Sequence, residues 1–312
     1  MKPISVFDAH CDTISRIYHL HESLRSNTGH LSLEKTSGFV RYCQFFALFA
    51  DKARVVSGGG SMEETYCTLL SCFRKQMACN SHAIVQCRTA REVELAHCRG
   101  KAAAFLTVEG AELLGCDPAR LEQAAKDGVA AINLTWNHAN ALSGSSREQP
   151  ERGLSALGRR FMSKMEDLHI LVDVSHLSET GFWDVVELAR RPILASHSNA
   201  KSVWNHTRNL TDEQITAIIK NQGVIGLNFY KDFVGGSRDL DMLRAHLDHI
   251  LALGGAANVG LGGDWDGCEV IDALPSIDRL SCFYEYLLSH GYHETVVCDL
   301  FYNTLMRVVS QR

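Results

Sequence analysis

Short apolar runs rich in β-branched residues alternate along the chain with stretches in which apolar positions recur every three or four residues. The short runs predict strands that are buried on both faces, as in a parallel sheet, at 4–8, 40–49, 102–108, 129–135, 170–174, 192–195, 224–229 and 259–262. The stretches between them predict amphipathic helices at 62–77, 119–126, 157–168, 179–190, 212–220 and 240–253.

Eight strands that alternate with helices over about 260 residues match the size of a (β/α)8 barrel. We therefore predict an α/β protein with a TIM-barrel fold and two additional C-terminal helices, at 276–289 and 295–308. Because no repeat or linker divides the sequence, we expect 1–312 to form a single domain. Polar loops at 57–61 and 143–152 follow predicted strands, and such loops build the functional face of a barrel.

The composition narrows the classes of function. Hydrophobic residues make up 46% and charged residues 21% of the chain, as in ordinary soluble proteins. A net charge of −5 without a basic run argues against nucleic-acid binding. No apolar run reaches the roughly 20 residues of a membrane span, and no signal-peptide pattern precedes the first strand. The eleven cysteines are scattered without a C-x-x-C pair, which favours buried free thiols. We expect a cytoplasmic location without membrane partners.

Two histidines follow consecutive predicted strands. His176 closes the run at 170–174, and His197 closes the run at 192–195. The carboxyl ends of neighbouring parallel strands meet at one rim of the sheet, so the two imidazoles are expected close together. Because neutral imidazole is the commonest metal-binding side chain, this pair indicates a metal site.

Carboxylates and a further histidine follow three other strands. His10 and Asp12 stand two residues apart after the first strand, so their side chains point to the same side. Glu109 follows an apolar strand directly, where a carboxylate is costly unless it is paired or metal-bound. Asp264 follows the last strand in a Gly-Asp-rich turn, a type of turn that is also common without function.

Together these positions supply three imidazoles and three carboxylates, a set that suits zinc. Two zinc ions about 3.5–4 Å apart need a bridging ligand. Related hydrolase barrels often use a modified lysine as the bridge, but no lysine follows strand three or four here. Glu109 is the remaining candidate for the bridge.

The chain resembles the membrane dipeptidase (renal dipeptidase) family of zinc peptidases, which belongs to the amidohydrolase-type barrels. The matching segments extend over nearly the whole sequence. They are Phe7-Asp8-Ala9-His10-Cys11-Asp12-Thr13, Gln44-Phe45-Phe46, Val108-Glu109-Gly110, Gly153-Leu154-Ser155 with Gly158, Asp173-Val174-Ser175-His176, Ser196-His197-Ser198, Arg208-Asn209, and Gly262-Gly263-Asp264-Trp265-Asp266-Gly267.

The resemblance implies hydrolysis of dipeptides with two zinc ions per chain. It places His10 and Asp12 on one ion and His176 and His197 on the other, with Glu109 as the bridge. It also implies that Asp264 handles the proton of the attacking water and that Arg208 contacts the substrate. Relatives form homodimers, so a homodimer is expected here as well.

One family feature is missing from its usual place. Mammalian members carry a substrate-contacting histidine directly after Leu-Thr on strand four, whereas here Leu134-Thr135 is followed by Trp136-Asn137-His138. Either His138 takes over that role and stabilises the oxyanion, or the role is lost. The chain also lacks the anchor and disulfide signals of the mammalian members, and so it resembles the cytosolic bacterial relatives.

Two other functions compete with a dipeptidase. The metal residues alone are compatible with another metal-dependent amidohydrolase that acts on a cyclic amide or a lactone. Arg208 distinguishes the two, because a neutral cyclic substrate gives a guanidinium nothing to bind. The third hypothesis is a non-catalytic barrel that binds a metabolite, and the intact set of metal and proton-handling residues argues against it.

Overall fold

The computed structural model describes residues 3–312. Its strands are β1 (Ser5–Cys11), β2 (Arg41–Phe49), β3 (Ile84–Gln86), β4 (Ala102–Glu109), β5 (Val129–Asn133), β6 (Leu171–Asp173), β7 (Leu194–Ala195), β8 (Val224–Leu227) and β9 (Val259–Leu261). All strand pairs are parallel, and the order β1-β2-β4-β5-β6-β7-β8-β9 closes through pairing of β9 with β1. The predicted (β/α)8 barrel is confirmed.

Each of the eight predicted strands is present, and the structure adds β3. This short strand pairs with the beginning of β4, from Ala102 to Ala104, while β5 pairs with β4 from Leu106 onward. β3 therefore lies outside the closed barrel. The sequence pattern missed it because it has three residues and only Ile84 is buried, so it shows no apolar run.

The helices around the barrel are α1 (Thr13–Leu20), α2 (Leu33–Thr36), α3 (Lys52–Ser57), α4 (Met62–Cys79), α5 (Ala90–Cys98), α6 (Leu121–Asp127), α7 (Ala156–Asp167), α8 (Glu179–Leu188), α9 (Asp212–Lys220), α10 (Lys231–Val234), α11 (Leu240–Ala252), α12 (Leu280–Ser289), α13 (Glu294–Cys298) and α14 (Thr304–Ser310). The two predicted C-terminal helices are confirmed. The second of them is α13 and α14, which a π-helical turn at Asp299–Asn303 joins.

Aromatic side chains fill the lower part of the barrel. The Phe7 ring lies 5.3 Å from the ring of Phe45 and 5.7 Å from that of Phe105, and all three are buried. Tyr302, before α14, packs against the same layer with its ring 6.3 Å from that of Phe7. This apolar layer lies below the carboxyl ends of the strands. His10 of β1 and Glu109 of β4, which were predicted as metal ligands, lie at those carboxyl ends.

Within residues 3–312, no helix is long and apolar enough to cross a membrane. All eleven cysteines are unpaired thiols. Four of them are buried, as predicted, namely Cys11, Cys43, Cys87 and Cys116. Cys67, Cys79 and Cys98 are exposed instead, because α4 and α5 turn these faces to solvent.

Candidate metal centre

The side chains predicted as metal ligands meet at the carboxyl ends of the barrel strands. His10 ends β1 together with Asp12, Glu109 ends β4, and His176 and His197 follow β6 and β7. All five are at most 6% exposed. Asp264, after β9, joins them with 9% exposure. Six residues from five strands thus converge in one buried cluster.

We call the part of the cluster around His10 and Asp12 the β1 half. The His10 Nε2 atom lies 3.4 Å from Asp12 Oδ2 and 3.9 Å from Asp264 Oδ1. These three side chains satisfy the spacing of ligands that could share one ion.

We call the part around His176 and His197 the β6–β7 half. The two Nε2 atoms lie 2.9 Å apart. The His197 ring also contacts that of His10, with 4.1 Å between ring centroids and a tilt of 42° between the ring planes. The two halves are therefore in direct contact.

Glu109 lies between the halves. Its Oε2 is 3.5 Å from His10 Nε2. Its Oε1 is 3.0 Å from His176 Nε2 and 3.6 Å from His197 Nε2. Each carboxylate oxygen thus faces a different half, which is the arrangement that a bridging ligand requires.

The residues fit zinc on two observations. The buried atoms His10 Nε2 and Asp12 Oδ1 have no hydrogen-bond partner within the described part of the chain, and such atoms are costly unless something binds them. Ligands about 2.0–2.2 Å from a tetrahedral zinc ion stand roughly 3.3–3.6 Å apart. The distances from His10 Nε2 to Asp12 Oδ2, 3.4 Å, and to Glu109 Oε2, 3.5 Å, fall in this range.

Asp8 holds the β1 half in place, a role that the sequence analysis did not assign. Its Oδ1 accepts hydrogen bonds from the His10 backbone N–H and from Gln44 Nε2, each at 3.0 Å. Its Oδ2 accepts from the Gly263 N–H at 2.9 Å and from Trp265 Nε1 at 3.2 Å. Asp8 therefore ties the end of β1 to the turn that carries Asp264. The signal in the sequence was a carboxylate inside an apolar strand.

Asp173 holds the β6–β7 half in place through hydrogen bonds to the backbone. Its Oδ1 accepts from the Ser175 N–H at 3.0 Å and from the Ser196 N–H at 3.1 Å, which joins the ends of β6 and β7. The Ser175 hydroxyl in turn accepts from the His197 N–H at 3.2 Å. The segments that carry His176 and His197 are thereby fixed to each other.

Both imidazoles of the β6–β7 half also have a partner on the far nitrogen. His176 Nδ1 lies 3.0 Å from Asn137 Oδ1, an acceptor, so Nδ1 carries the proton and Nε2 offers its lone pair to the cluster. His197 Nδ1 lies 2.8 Å from the Ser196 hydroxyl. Partners of this kind orient metal-binding histidines. The sequence analysis missed Asn137 and Ser196 because an amide or a hydroxyl beside a ligand has no distinctive spacing.

The electrostatics of the cluster also suit a metal. Burial, followed by the charges of Arg208 and His10, pushes the pKa of His176 well below its usual value. Burial, followed by the charges of His10 and Arg208, also lowers the pKa of His197 well below its usual value. Both imidazoles are thus neutral, the state that binds metals. Burial raises the pKa of Glu109, so this carboxylate needs a nearby positive charge to stay ionised.

Asp264 adopts a left-handed backbone conformation with φ of 59°. Its Oδ2 accepts a hydrogen bond from Asn228 Nδ2 at 3.2 Å, while its Oδ1 points toward His10. Gly267 lets this turn approach the cluster, because a Cβ there would lie 2.1 Å from Asp12 Oδ2 and 2.6 Å from Asp264 Oδ1. One oxygen of Asp264 is thereby fixed, and the other faces the site.

A cavity of about 490 Å³ opens above the cluster. Its walls include Trp136, Asn137, Arg147, Arg208, Tyr230 and Phe233. The Arg208 guanidinium is buried beneath the Phe233 ring, 5.3 Å from its centroid, and its Nη2 donates to the His197 carbonyl at 3.3 Å. Burial lowers the pKa of Arg208 to about 10, so the group remains cationic at neutral pH. Arg208 therefore lies beside His197, one of the predicted metal ligands.

His138 is not brought into the cluster. Its side chain is 55% exposed, and its Nδ1 lies 3.2 Å from Glu148 Oε2. Trp136 and Asn137 line the cavity, while His138 is not among the lining residues. The backbone after β5 carries Asn137 toward His176 and turns His138 away from it. This geometry favours the alternative in which the histidine that mammalian members carry after Leu-Thr, here after β5, is lost.

Comparison with known proteins identifies the family. The model of the membrane dipeptidase family (peptidase family M19) matches residues 1–312. The chain belongs to the membrane dipeptidase family. An uncharacterized protein in the pqqA 5' region of Klebsiella pneumoniae is 31% identical over 77% of this chain and 93% of its own length. An uncharacterized dipeptidase of Schizosaccharomyces pombe is 37% identical over 54% of this chain and 42% of its own length.

Solved structures agree with this assignment. The metallo peptidase from Rhodobacter sphaeroides, solved with a phosphinate mimic of the dipeptide L-Ala-D-Ala, superposes with a TM-score of 0.89 at 27% identity and covers 99% of both chains. The metallo peptidase dipeptidase AC gives a TM-score of 0.90 at 27% identity, again over 99% of both chains. The protein is thus a hydrolase of a metallopeptidase family with dipeptidase members.

Proposed function

We propose that the protein hydrolyses dipeptides with two zinc ions bound at the buried cluster. The observation that carries this proposal is the position of Glu109, whose two oxygens face different halves of the cluster. His10 and Asp12 would hold one ion, and His176 and His197 the other. Zinc bound there would supply an activated water and polarise the carbonyl of the scissile bond.

Asp264 is the group proposed to move the proton. Its Oδ1 faces His10 in the cluster, while Oδ2 is held by Asn228. Oδ1 can therefore accept the proton of the attacking water and pass it to the leaving amine, as general acid–base catalysis requires. The fixed Oδ2 keeps the carboxylate in one orientation during both transfers.

Arg208 is proposed to bind the free carboxylate of the substrate. A guanidinium matches a carboxylate through two parallel hydrogen bonds. Its buried Nε has no hydrogen-bond partner within the described residues, which leaves a donor for a ligand. The dipeptide mimic bound to the Rhodobacter sphaeroides relative supports a substrate of this class.

The alternative of a cyclic amide or a lactone is less well supported. A neutral ring would leave the buried Nε of Arg208, which has no hydrogen-bond partner among residues 3–312, without a carboxylate to bind. A buried donor without a partner is costly. A substrate with a free carboxylate supplies the acceptor, so Arg208 favours the dipeptide.

The experiment is a zinc-depletion assay on purified protein with a small panel of dipeptides. We expect hydrolysis in the zinc-loaded protein, loss of hydrolysis after chelation, and recovery when zinc is added back. A cyclic amide and a lactone serve as comparison substrates. Hydrolysis of these rings but not of any dipeptide would overturn the proposal.

Three further expectations remain proposals. We propose a cytoplasmic location because the sequence resembles the cytosolic relatives. The organisation as one domain over 1–312 and the homodimer also remain predictions. Sedimentation of the purified protein would test the homodimer.

A further inference from the structure

A second arginine on the cavity wall is not explained by the proposed reaction. Arg147 lies in the polar loop after β5 and lines the same cavity as Arg208. Its side chain is exposed, and it forms no hydrogen bond or ion pair with any side chain of residues 3–312. A free cation thus faces the space where the substrate would bind.

The backbone around Arg147 is anchored to the metal centre. The Ser146 N–H donates to the His176 carbonyl at 2.8 Å. The Ser145 hydroxyl accepts from the Arg147 N–H at 3.3 Å and from the Glu148 N–H at 2.9 Å. The base of the Arg147 side chain is therefore held at a fixed position relative to His176.

Arg147 and Arg208 act on the same region of the cavity. Arg147 directly follows Ser146, whose N–H donates to the His176 carbonyl, and Arg208 donates to the His197 carbonyl, so both arginines lie on the β6–β7 side of the cavity. His206 lies in the loop that also carries Arg208, where its ring packs 4.7 Å from that of Phe233. The two cations therefore border the same side of the cavity.

The carboxylate of Asp232 is not free to pair with Arg147. Asp232, on the same wall, already accepts hydrogen bonds from the Tyr230 hydroxyl at 2.8 Å and from Arg238 at 3.2 Å. The α-carboxylate of a dipeptide would neutralise one cation, Arg208. A second negative charge at the same end of the substrate would neutralise Arg147.

We propose that Arg147 selects dipeptides whose C-terminal residue is acidic, with the side-chain carboxylate of aspartate or glutamate on Arg147 and the α-carboxylate on Arg208. This inference rests on the proposed dipeptidase function and names its preferred substrate class. Because Arg147 is exposed, water and salt weaken the pair, so the preference is a moderate one and decreases at high ionic strength.

The test compares Ala-Asp with Ala-Asn, which are nearly isosteric and differ in one charge, with either configuration at the C-terminal residue. In the unmodified zinc enzyme, kcat/KM should favour Ala-Asp by about tenfold, the effect typical of a hydrogen bond to a charged group. Arg147→Gln should reduce that ratio to about one, mainly by raising KM for Ala-Asp, and leave Ala-Asn nearly unaffected.

Arg160→Gln is the matched control. Arg160 is an exposed arginine on α7 and does not line the cavity, so this variant removes the same charge from the protein without changing the wall. It should keep the tenfold ratio. Equal hydrolysis of Ala-Asp and Ala-Asn by the unmodified enzyme, or an unchanged ratio in Arg147→Gln, overturns the inference and leaves the dipeptidase function intact. If no dipeptide is hydrolysed, Ala-Ala included, the proposed function fails and the inference fails with it.

Discussion

The two halves of the candidate metal centre are held in different ways. In the β6–β7 half, the far nitrogens of His176 and His197 face Asn137 and the Ser196 hydroxyl, at 3.0 and 2.8 Å. In the β1 half, the backbone is fixed through Asp8, but His10 Nε2 and Asp12 Oδ1 have no partner within residues 3–312. Neighbouring side chains therefore hold the imidazole rings of the β6–β7 half, whereas the β1 half is held through its backbone and keeps two site-facing atoms without a protein partner.

This difference indicates a division of labour. Asp264, the proposed proton carrier, lies beside the β1 half, and its Oδ1 is 3.9 Å from His10 Nε2. Arg208 is attached to the β6–β7 half through the His197 carbonyl. We infer that the β6–β7 half positions the substrate and the β1 half does the proton chemistry. The predictions below test this division, beginning with the largest effect.

Asp264→Asn should lower kcat about 10²–10⁴-fold, the usual contribution of a general acid–base group. The amide keeps the shape and can still contact Asn228, but it cannot take up the proton. Zinc content and thermal stability should stay near those of the unmodified protein. Near-normal turnover in this variant would move the proton role to another group, with Asp266 as the first alternative.

Arg208→Met should raise KM for free dipeptides about 10–100-fold, because it removes hydrogen bonds from a charged group to the substrate carboxylate. The unmodified enzyme should cleave a free dipeptide much better than the same dipeptide with an amidated C-terminus, and the variant should not distinguish them. Equal cleavage of both forms by the unmodified enzyme would refute the carboxylate anchor and strengthen the cyclic-amide alternative.

Asn137→Leu tests how the β6–β7 half is held. The change removes the acceptor of the His176 Nδ1 proton while keeping a side chain of similar size. Loss of such a partner typically costs about 10–100-fold in metal affinity. Zinc titration should show one weakened site and one unaffected site. Two unaffected sites would mean that Asp173 and the backbone alone orient His176.

His138→Ala should have the smallest effect. Since this exposed side chain pairs with Glu148 outside the cavity, kcat should change by no more than about twofold, as for ordinary surface substitutions. If kcat instead falls about 10²–10³-fold, His138 must reach the substrate during turnover and supply the missing oxyanion donor.

The sequence predicted the barrel and the position of the cluster because each ligand directly follows an apolar run. His10, Glu109 and His197 illustrate this, since a buried strand determines where its last residue lies. Such a pattern contains no information about loops.

The loop after β5 shows this limit. Asn137 and His138 are neighbours in the sequence, yet one contacts His176 and the other contacts Glu148. Their directions depend on contacts with residues about ten positions further along the loop and on β6, which no local pattern encodes. Asp8 and Asp173 were missed for another reason, because a hydrogen-bonded strand carboxylate and a metal-binding one look alike in a sequence.

The most direct test of the account is the zinc content of the metal-replete protein, measured by elemental analysis against the protein concentration. Because Glu109 faces both halves through different oxygens, we predict two zinc ions per chain. A value of one ion, or of none, would contradict the binuclear centre on which the proposed function rests.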